Sequence, residues 1–278
     1  MQSVWDALQG SGNSIDRGLN ICNVQKSRTE MLKSYNQSDF TLEKYEEYLN
    51  RILDQGYTFR RYTNFDKNEK FVIQRHDIDF SPANALDLAL IEARYDISAT
   101  YAVLTNSPFY NLFEKKVKKA ITEIIDLGHD IALHFDPIAY DLKESSQLAT
   151  CLNFEKTIIK ELFGTNVRVF AFHMTTPISS VSTDWEYGGL INCYASYFRD
   201  CVAYCSDSNG YWRHSRLEDF IEAGHDRMVI LTHPLWWSDT ILMPREKILN
   251  CVREQSEATV TEYDSLLSAL GRENIGLM

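Results

Sequence analysis

Apolar positions recur along this chain with two alternating periods. Between Phe40 and Tyr57, Leu42, Tyr45, Leu49, Ile52 and Leu53 share one stripe at helical spacing, and Gly56 closes the segment. Downstream, short apolar runs of strand type occupy 71–76 (FVIQRH), 98–104 (SATYAVL), 130–134 (DIALH), 168–173 (RVFAFH), 191–195 (INCYA), 202–206 (VAYCS) and 228–233 (MVILTH). Amphipathic stretches separate most of them: PANALDLALIEARY, FEKKVKKAITEIIDLG, the segment from Ser145 to Phe163, and SRLEDFIEAG. A C-terminal helix is expected over 257–270. Strands alternating with helices predict parallel pairing through right-handed crossovers. About seven such units within roughly 200 residues predict an α/β fold, a (β/α) barrel rather than an open sheet. Residues 1–38 mix Gly, Ser, Asn and charge without a period and read as an N-terminal extension. Residues 39–278 read as one domain, because no repeat or Pro/Gly-rich linker divides them.

Composition narrows the function. At 278 residues and 44% hydrophobic, the chain can build a full core, which excludes disorder as its main state. The net charge of −11 makes nonspecific nucleic-acid binding a poor fit. No run approaches the roughly 20 apolar residues of a membrane span, and the first residues lack the basic start and apolar core of a signal peptide. The six cysteines form no C-x-x-C pair. Cys201 and Cys205 fall where a strand is expected, which would hold them about 13 Å apart. Buried free thiols in a reducing cytoplasm are therefore expected.

In a barrel of parallel strands the chemistry gathers at the C-terminal strand ends. Five runs here end in a His or an Asp: Arg75-His76-Asp77-Ile78-Asp79, His134-Phe135-Asp136, His173-Met174-Thr175, Asp207 through Arg213, and Thr232-His233-Pro234-Leu235-Trp236-Trp237. Asp77 and Asp79 share a face of an extended chain, and two carboxylates so placed repel unless a cation lies with them. The bland alternative is a solvated Asp-x-Asp ahead of a helix that Ser81-Pro82 starts. His134 and His173, on neighbouring strands with Asp79 beside them, make two imidazoles and a carboxylate, the donor set of an open catalytic metal site. His233 is a candidate general acid with Asp207 placed to hold its ring. Trp212, Trp236, Trp237 and Tyr211 either wall a sugar face or belong to the core. His129 lies at the other end of its strand and reads as structural; His76, His214 and His225 show no partner in the sequence.

The ordered segments RHDID, SATY, GHDIALHFD, FHMTTP, CSDSNGYWR and ILTHPLWW resemble the motifs of the NodB-type polysaccharide deacetylase superfamily (carbohydrate esterase family 4). The resemblance spans residues 40 to 240 and points to a divergent branch associated with bacterial surface-polysaccharide biosynthesis. It implies a distorted, TIM-like (β/α) barrel of seven strands. The implied activity is divalent-metal hydrolysis that removes an acyl group, usually acetate, from an N-acylated sugar. Carried over, Asp77 matches the catalytic base, Asp79 the metal-binding aspartate, His134 the first metal histidine and His233 the general acid. The family's second metal histidine follows the first by four residues, where this chain has Ile138. His173 replaces an Arg-Pro-Pro-Tyr-like motif and is assigned the missing ligand, with Asp136 as fallback. Arg213 or Arg75 stands in for the arginine that steadies the base; the family's backbone oxyanion donor does not map onto a particular residue of this sequence.

The sequence thus predicts an amide-cleaving carbohydrate deacetylase. Asp79, His134 and His173 hold one divalent ion, zinc first, with iron, cobalt or nickel as the other candidates. Asp77, His233 and Asp207 are the catalytic residues; Trp212, Arg213, Trp236 and Trp237 contact substrate. The expected substrate is an N-acetylated sugar, a nucleotide- or lipid-linked sugar, or an oligosaccharide. The alternatives are a non-catalytic carbohydrate-binding or scaffold protein on a decayed barrel, and a metal-free hydrolase.

Overall fold

The computed structural model describes residues 36–142, 144–212 and 215–276. The N-terminal extension up to Tyr35, Cys22, Arg213 and His214 lie outside the described residues. In chain order the elements are α1 (Leu42–Asp54), β1 (Thr58–Phe59), β2 (Phe71–Ile78), α2 (Pro82–Ala93), β3 (Thr100–Leu104), α3 (Lys115–Asp126), β4 (Asp130–Phe135), α4 (Leu148–Phe163), β5 (Val169–Phe172), α5 (Pro177–Val181), β6 (Glu186–Tyr187), β7 (Leu190–Asn192), α6 (Ser196–Cys201), β8 (Ala203–Ser206), α7 (Leu217–Glu222), β9 (Arg227–Thr232) and α8 (Pro244–Ala269).

Helix starts follow local chemistry. The Thr41 side chain accepts from the Lys44 amide at the head of α1, and Ser81 does the same for Asn84 at the head of α2, with Pro82 in the first turn. The C-terminal helix is longer than the expected 257–270. It opens at Pro244, where Glu246 accepts from the Met243 amide.

All seven expected runs form strands, and they pair parallel in the order β7-β5-β4-β3-β2-β9-β8. Two short strands join them. β1 runs parallel beside the start of β2, and β6 turns back antiparallel onto β7 through Gly188 and Gly189, both at positive φ. Strands of two residues carry no alternation that a sequence could display. Among the described residues the ends of the path do not pair, so the barrel is open between β7 and β8. The five free thiols of the described residues are not all buried: Cys201 ends α6 and is exposed, whereas Cys193 and Cys205 are buried.

Alternation along each strand divides the side chains between two cores. Ile78, Tyr101, Val103, Ile131, Leu133, Phe135, Phe170 and Phe172 point outward and pack under α2, α3 and α4. Phe71, Ile73, Ala102, Ala132, Val169, Ala171 and Val229 form the inner cluster. Two residues beyond the inward Ile73, Ala132 and Ala171 stand Arg75, His134 and His173, and Asp77 follows Arg75 by the same step. The inward alanines belong to the packed layer beneath these polar groups. The site is what the inner face becomes at its C-terminal end.

Candidate active site

Asp79, one residue past β2, is the hub. One carboxylate oxygen, Oδ1, lies 3.1 Å from His134 Nε2. The other, Oδ2, lies 3.8 Å from His233 Nε2 and 3.9 Å from His173 Nε2. The His134 and His173 rings meet edge to face, with centroids 5.1 Å apart. Three histidines from β4, β5 and β9 thus converge on one carboxylate from β2.

The donor set fits a cation. Asp79, His134 and His173 each offer one ligand atom, and those atoms lie within 4.8 Å of one another. His134 Nδ1 sits 3.2 Å from the Ala171 carbonyl; the proton it donates there leaves a lone pair on Nε2. That Nε2 and the nearby Asp79 Oδ1 are both buried, and neither has an aligned hydrogen-bond partner among the described residues. Two lone pairs facing each other at 3.1 Å repel unless a cation or a proton stands between them. Burial pushes the His134 ring down, but the charges of Asp77 and Asp79 outweigh it and hold its pKa above the ordinary value. Burial likewise raises Asp79, yet His134 first, then His233 and His173, bring it below the usual carboxylate range. His173 is lowered by burial and by the charge of His134.

Asp77 is held from its own strand. Arg75, two residues earlier on the same face, places Nε 3.1 Å from Oδ1 and donates from Nη2 to Oδ2 at 3.3 Å. The same carboxylate lies 3.6 Å from His134 Nε2. Arg75 is itself buried, its guanidinium 5.5 Å from the Tyr194 ring centre. Arg213, the other substitute expected for this role, lies outside the described residues.

On the opposite side, Asp207 collects three donors: the His233 amide at 2.9 Å, His233 Nδ1 at 2.7 Å and Trp237 Nε1 at 2.8 Å. The ring of His233 is fixed, with Nε2 directed at the hub. Burial would lower this histidine, but the hydrogen bond and charge of Asp207, followed by Asp79 and Asp77, raise it to about 9. Gly210 at φ 77° lets the loop after β8 press close, since a Cβ there would meet Pro244 at 2.8 Å.

No family model matches the chain. No curated protein matches it. Among solved structures it is similar to the peptidoglycan deacetylase PdaC from Bacillus subtilis, at 15% identity over 74% of this chain and 98% of that one, TM-score 0.39. The chitin deacetylase of the fungal pathogen Colletotrichum lindemuthianum gives 13% identity over 67% and 83%, TM-score 0.41. A family 4 carbohydrate esterase pseudoenzyme from Bacillus anthracis gives 12% over 69% and 63%, TM-score 0.40. Likenesses of this degree leave the function to be read from the side chains.

Some expected residues stand elsewhere. Trp237 is fully buried and serves Asp207 from the core side, so it cannot wall a sugar face. Trp236 is also buried, packed on Phe80 at 5.4 Å; Trp212 is partly buried and stacks on Phe40 at 5.3 Å. Asp136 is not within the ligand group: Oδ2 lies 3.9 Å from His173 Nδ1, on the far side of that ring, and Oδ1 accepts from the Ile138 amide. Ile138 is exposed at the rim. His129 accepts from the Ala99 amide and faces the Ala89 carbonyl, a structural tie.

Three supports escape sequence reasoning. Ser107 donates to the Asp79 carbonyl at 2.7 Å, and Tyr110 donates to the Ile78 carbonyl at 2.7 Å while accepting from the Leu104 amide at 3.0 Å. His76, which showed no partner in the sequence, faces Glu92 at 2.8 Å and Thr232 at 2.6 Å behind the sheet.

Proposed function

We propose that this chain is a NodB-type, carbohydrate esterase family 4-like deacylase, removing an acyl group, acetyl first, from an N-acylated sugar in surface-polysaccharide biosynthesis. The observation that carries this reading is the unshared 3.1 Å approach of His134 Nε2 and Asp79 Oδ1, beside Asp77 and facing His233. Asp79, His134 and His173 would hold the divalent ion, zinc first. Bound there, such an ion supplies a water of lowered pKa and polarises the amide carbonyl. Asp77, its carboxylate aimed by the paired Arg75 guanidinium, accepts the proton of the attacking water. His233 delivers a proton from Nε2 to the departing sugar amine, and Asp207 keeps the other ring nitrogen protonated and the ring oriented. Trp237 acts one step further back, by fixing Asp207.

The test separates holding a metal from turnover. Metal content by mass spectrometry should fall to background in His134→Ala and in His173→Ala. Stoichiometric metal in both variants would overturn the ligand assignment. Asp77→Asn should keep its metal and lose acetate release by about 10²–10⁴-fold. One observation favours a second reading, a carbohydrate-binding protein on a decayed barrel: Ile138 stands where the resemblance calls for a ligand. Metal-loaded protein that binds N-acetyl sugars without releasing acetate from simple, nucleotide-linked, lipid-linked or oligomeric sugars would establish that alternative.

A further inference from the structure

The candidate site opens at the C-terminal ends of the strands, and three neighbouring loops there present apolar side chains to solvent. Phe113, in the loop after β3, is 75% exposed; Ile138, after β4, is 59% exposed; Met174, after β5 and adjoining His173, is 48% exposed. β3, β4 and β5 are consecutive in the sheet, so the three residues stand on segments that follow neighbouring strands at their C-terminal ends. Large apolar side chains beside an opening that must admit a polar sugar call for a partner of their own.

Two residues after Phe113, α3 begins Lys115-Lys116-Val117-Lys118-Lys119. Val117 is buried, and the four lysines are exposed on the outward arc. A helix N-terminus favours acids, so these lysines work against the local field, and the Glu114 side chain makes no cap bond. Lys116 pairs with Glu114 at 3.2 Å and Lys119 reaches Glu123 at 3.6 Å, whereas Lys115 and Lys118 have no ion pair among the described residues. In a chain of net charge −11, such a cluster is out of character.

We infer that this rim seats on an anionic lipid surface, with Phe113, Ile138 and Met174 entering below the headgroups and the lysines of α3 meeting phosphates. Lysine suits that position because its aliphatic stem lies along apolar surface while the ammonium reaches the charge. Attraction acts only at short range, since salt screens charges beyond a Debye length and the nearby lysines then outweigh the more distant acids. The exposed Asp141 and Glu144 on the loop behind Ile138 limit contact on that flank. Association is peripheral, because no described helix is long and apolar enough to cross a membrane. Resting on the deacylase reading, the consequence is a substrate class: an N-acylated sugar carried on an anionic lipid, presented at the His173 side of the site.

Co-sedimentation of the full chain with vesicles tests this without any activity measurement. The chain should bind vesicles made of equal phosphatidylcholine and phosphatidylglycerol, release them as salt rises, and ignore phosphatidylcholine alone. Replacing all four lysines by Gln should weaken binding at least about tenfold. Phe113→Ser should also weaken it, with thermal unfolding unchanged because the side chain is exposed. Absence of binding, equal binding to both vesicle types, or indifference to the lysine changes overturns the inference. So does a dimer in solution that Phe113→Ser dissociates, which would assign the patch to a second copy. Vesicle binding without acetate release would defeat the deacylase reading alone, and acetate release without vesicle binding would defeat the lipid inference alone.

Discussion

Glu92 is fully buried in α2, yet its carboxylate is surrounded by donors: Tyr45 and Tyr101 hydroxyls each at 2.6 Å and His76 at 2.8 Å. Burial pushes its carboxyl up, but the charge and hydrogen bond of His76, then His129 and Tyr101, hold it below the ordinary range. His76 extends the chain to Thr232, so the network ties β2 and β9 at the residues just before Asp77 and His233. Glu92→Gln should cost about 3 kcal/mol, because one partner of a satisfied buried network is removed. Urea unfolding checks this, as a lower midpoint at unchanged slope. A loss under half that size would mean the tyrosines and His76 find other partners. Individual residues explain why His76 looked partnerless in the sequence: Glu92 is sixteen positions away on a helix, and Thr232 on a distant strand. Asp77 and Asp79 were readable because the two sit two residues apart in sequence, at the end of one strand and just past it.

At the scale of elements, periodicity made the seven long strands visible, and strand parity then dictates which side chains enter the barrel. Parity groups Arg75 with Asp77 on one strand; the register of β2, β3, β4 and β5 is what adds His134 and His173 to the same face. What periodicity cannot show is how irregular segments hold the ends of those strands. The loop from Thr105 to Glu114 does so through Ser107 and Tyr110, whose hydroxyls hold the carbonyls of Asp79 and Ile78. Nothing in TNSPFYNLFE distinguishes such a clamp from an ordinary surface turn. Tyr110→Phe removes both of that hydroxyl's bonds and should cost about 2 kcal/mol, since Leu104 N–H and Ile78 C=O are buried. It should also weaken zinc binding, measured by competition with a chelator, because Asp79 follows directly. Stability lost at unchanged metal affinity would limit the loop to a folding role. The two-residue strands β1 and β6 and the early start of α8 belong to the same class: each depends on contacts or caps that a window of hydropathy does not register.

For the whole molecule, three histidines and Asp79 should make stability depend on pH in opposite senses with and without the proposed metal. Take the chelated protein first. The folded-state pKa of His233 stands near 9 against an ordinary 6.5. Its contribution is therefore complete below about 6.5 and is lost as pH rises through 9. His134, also raised, adds to that loss in the same direction. His173 is lowered and runs the other way, gaining stability as pH climbs through its unfolded value. Asp79, lowered, contributes fully above its ordinary 3.8 and matters only in acid. The chelated chain should therefore unfold at progressively lower temperature between about pH 6.5 and pH 9. On the proposed ligand set, zinc should reverse this trend, because a metal binds deprotonated imidazoles and stabilises the folded state according to its affinity. The zinc-minus-chelator difference in Tm should widen steadily across that interval, measured by scanning fluorimetry at fixed metal concentration. In His134→Ala and His173→Ala the difference should shrink and flatten. A difference independent of pH in the unmodified chain would mean that zinc is held by groups other than these histidines, and the convergence on Asp79 would then be an ion-pair cluster with no metal role.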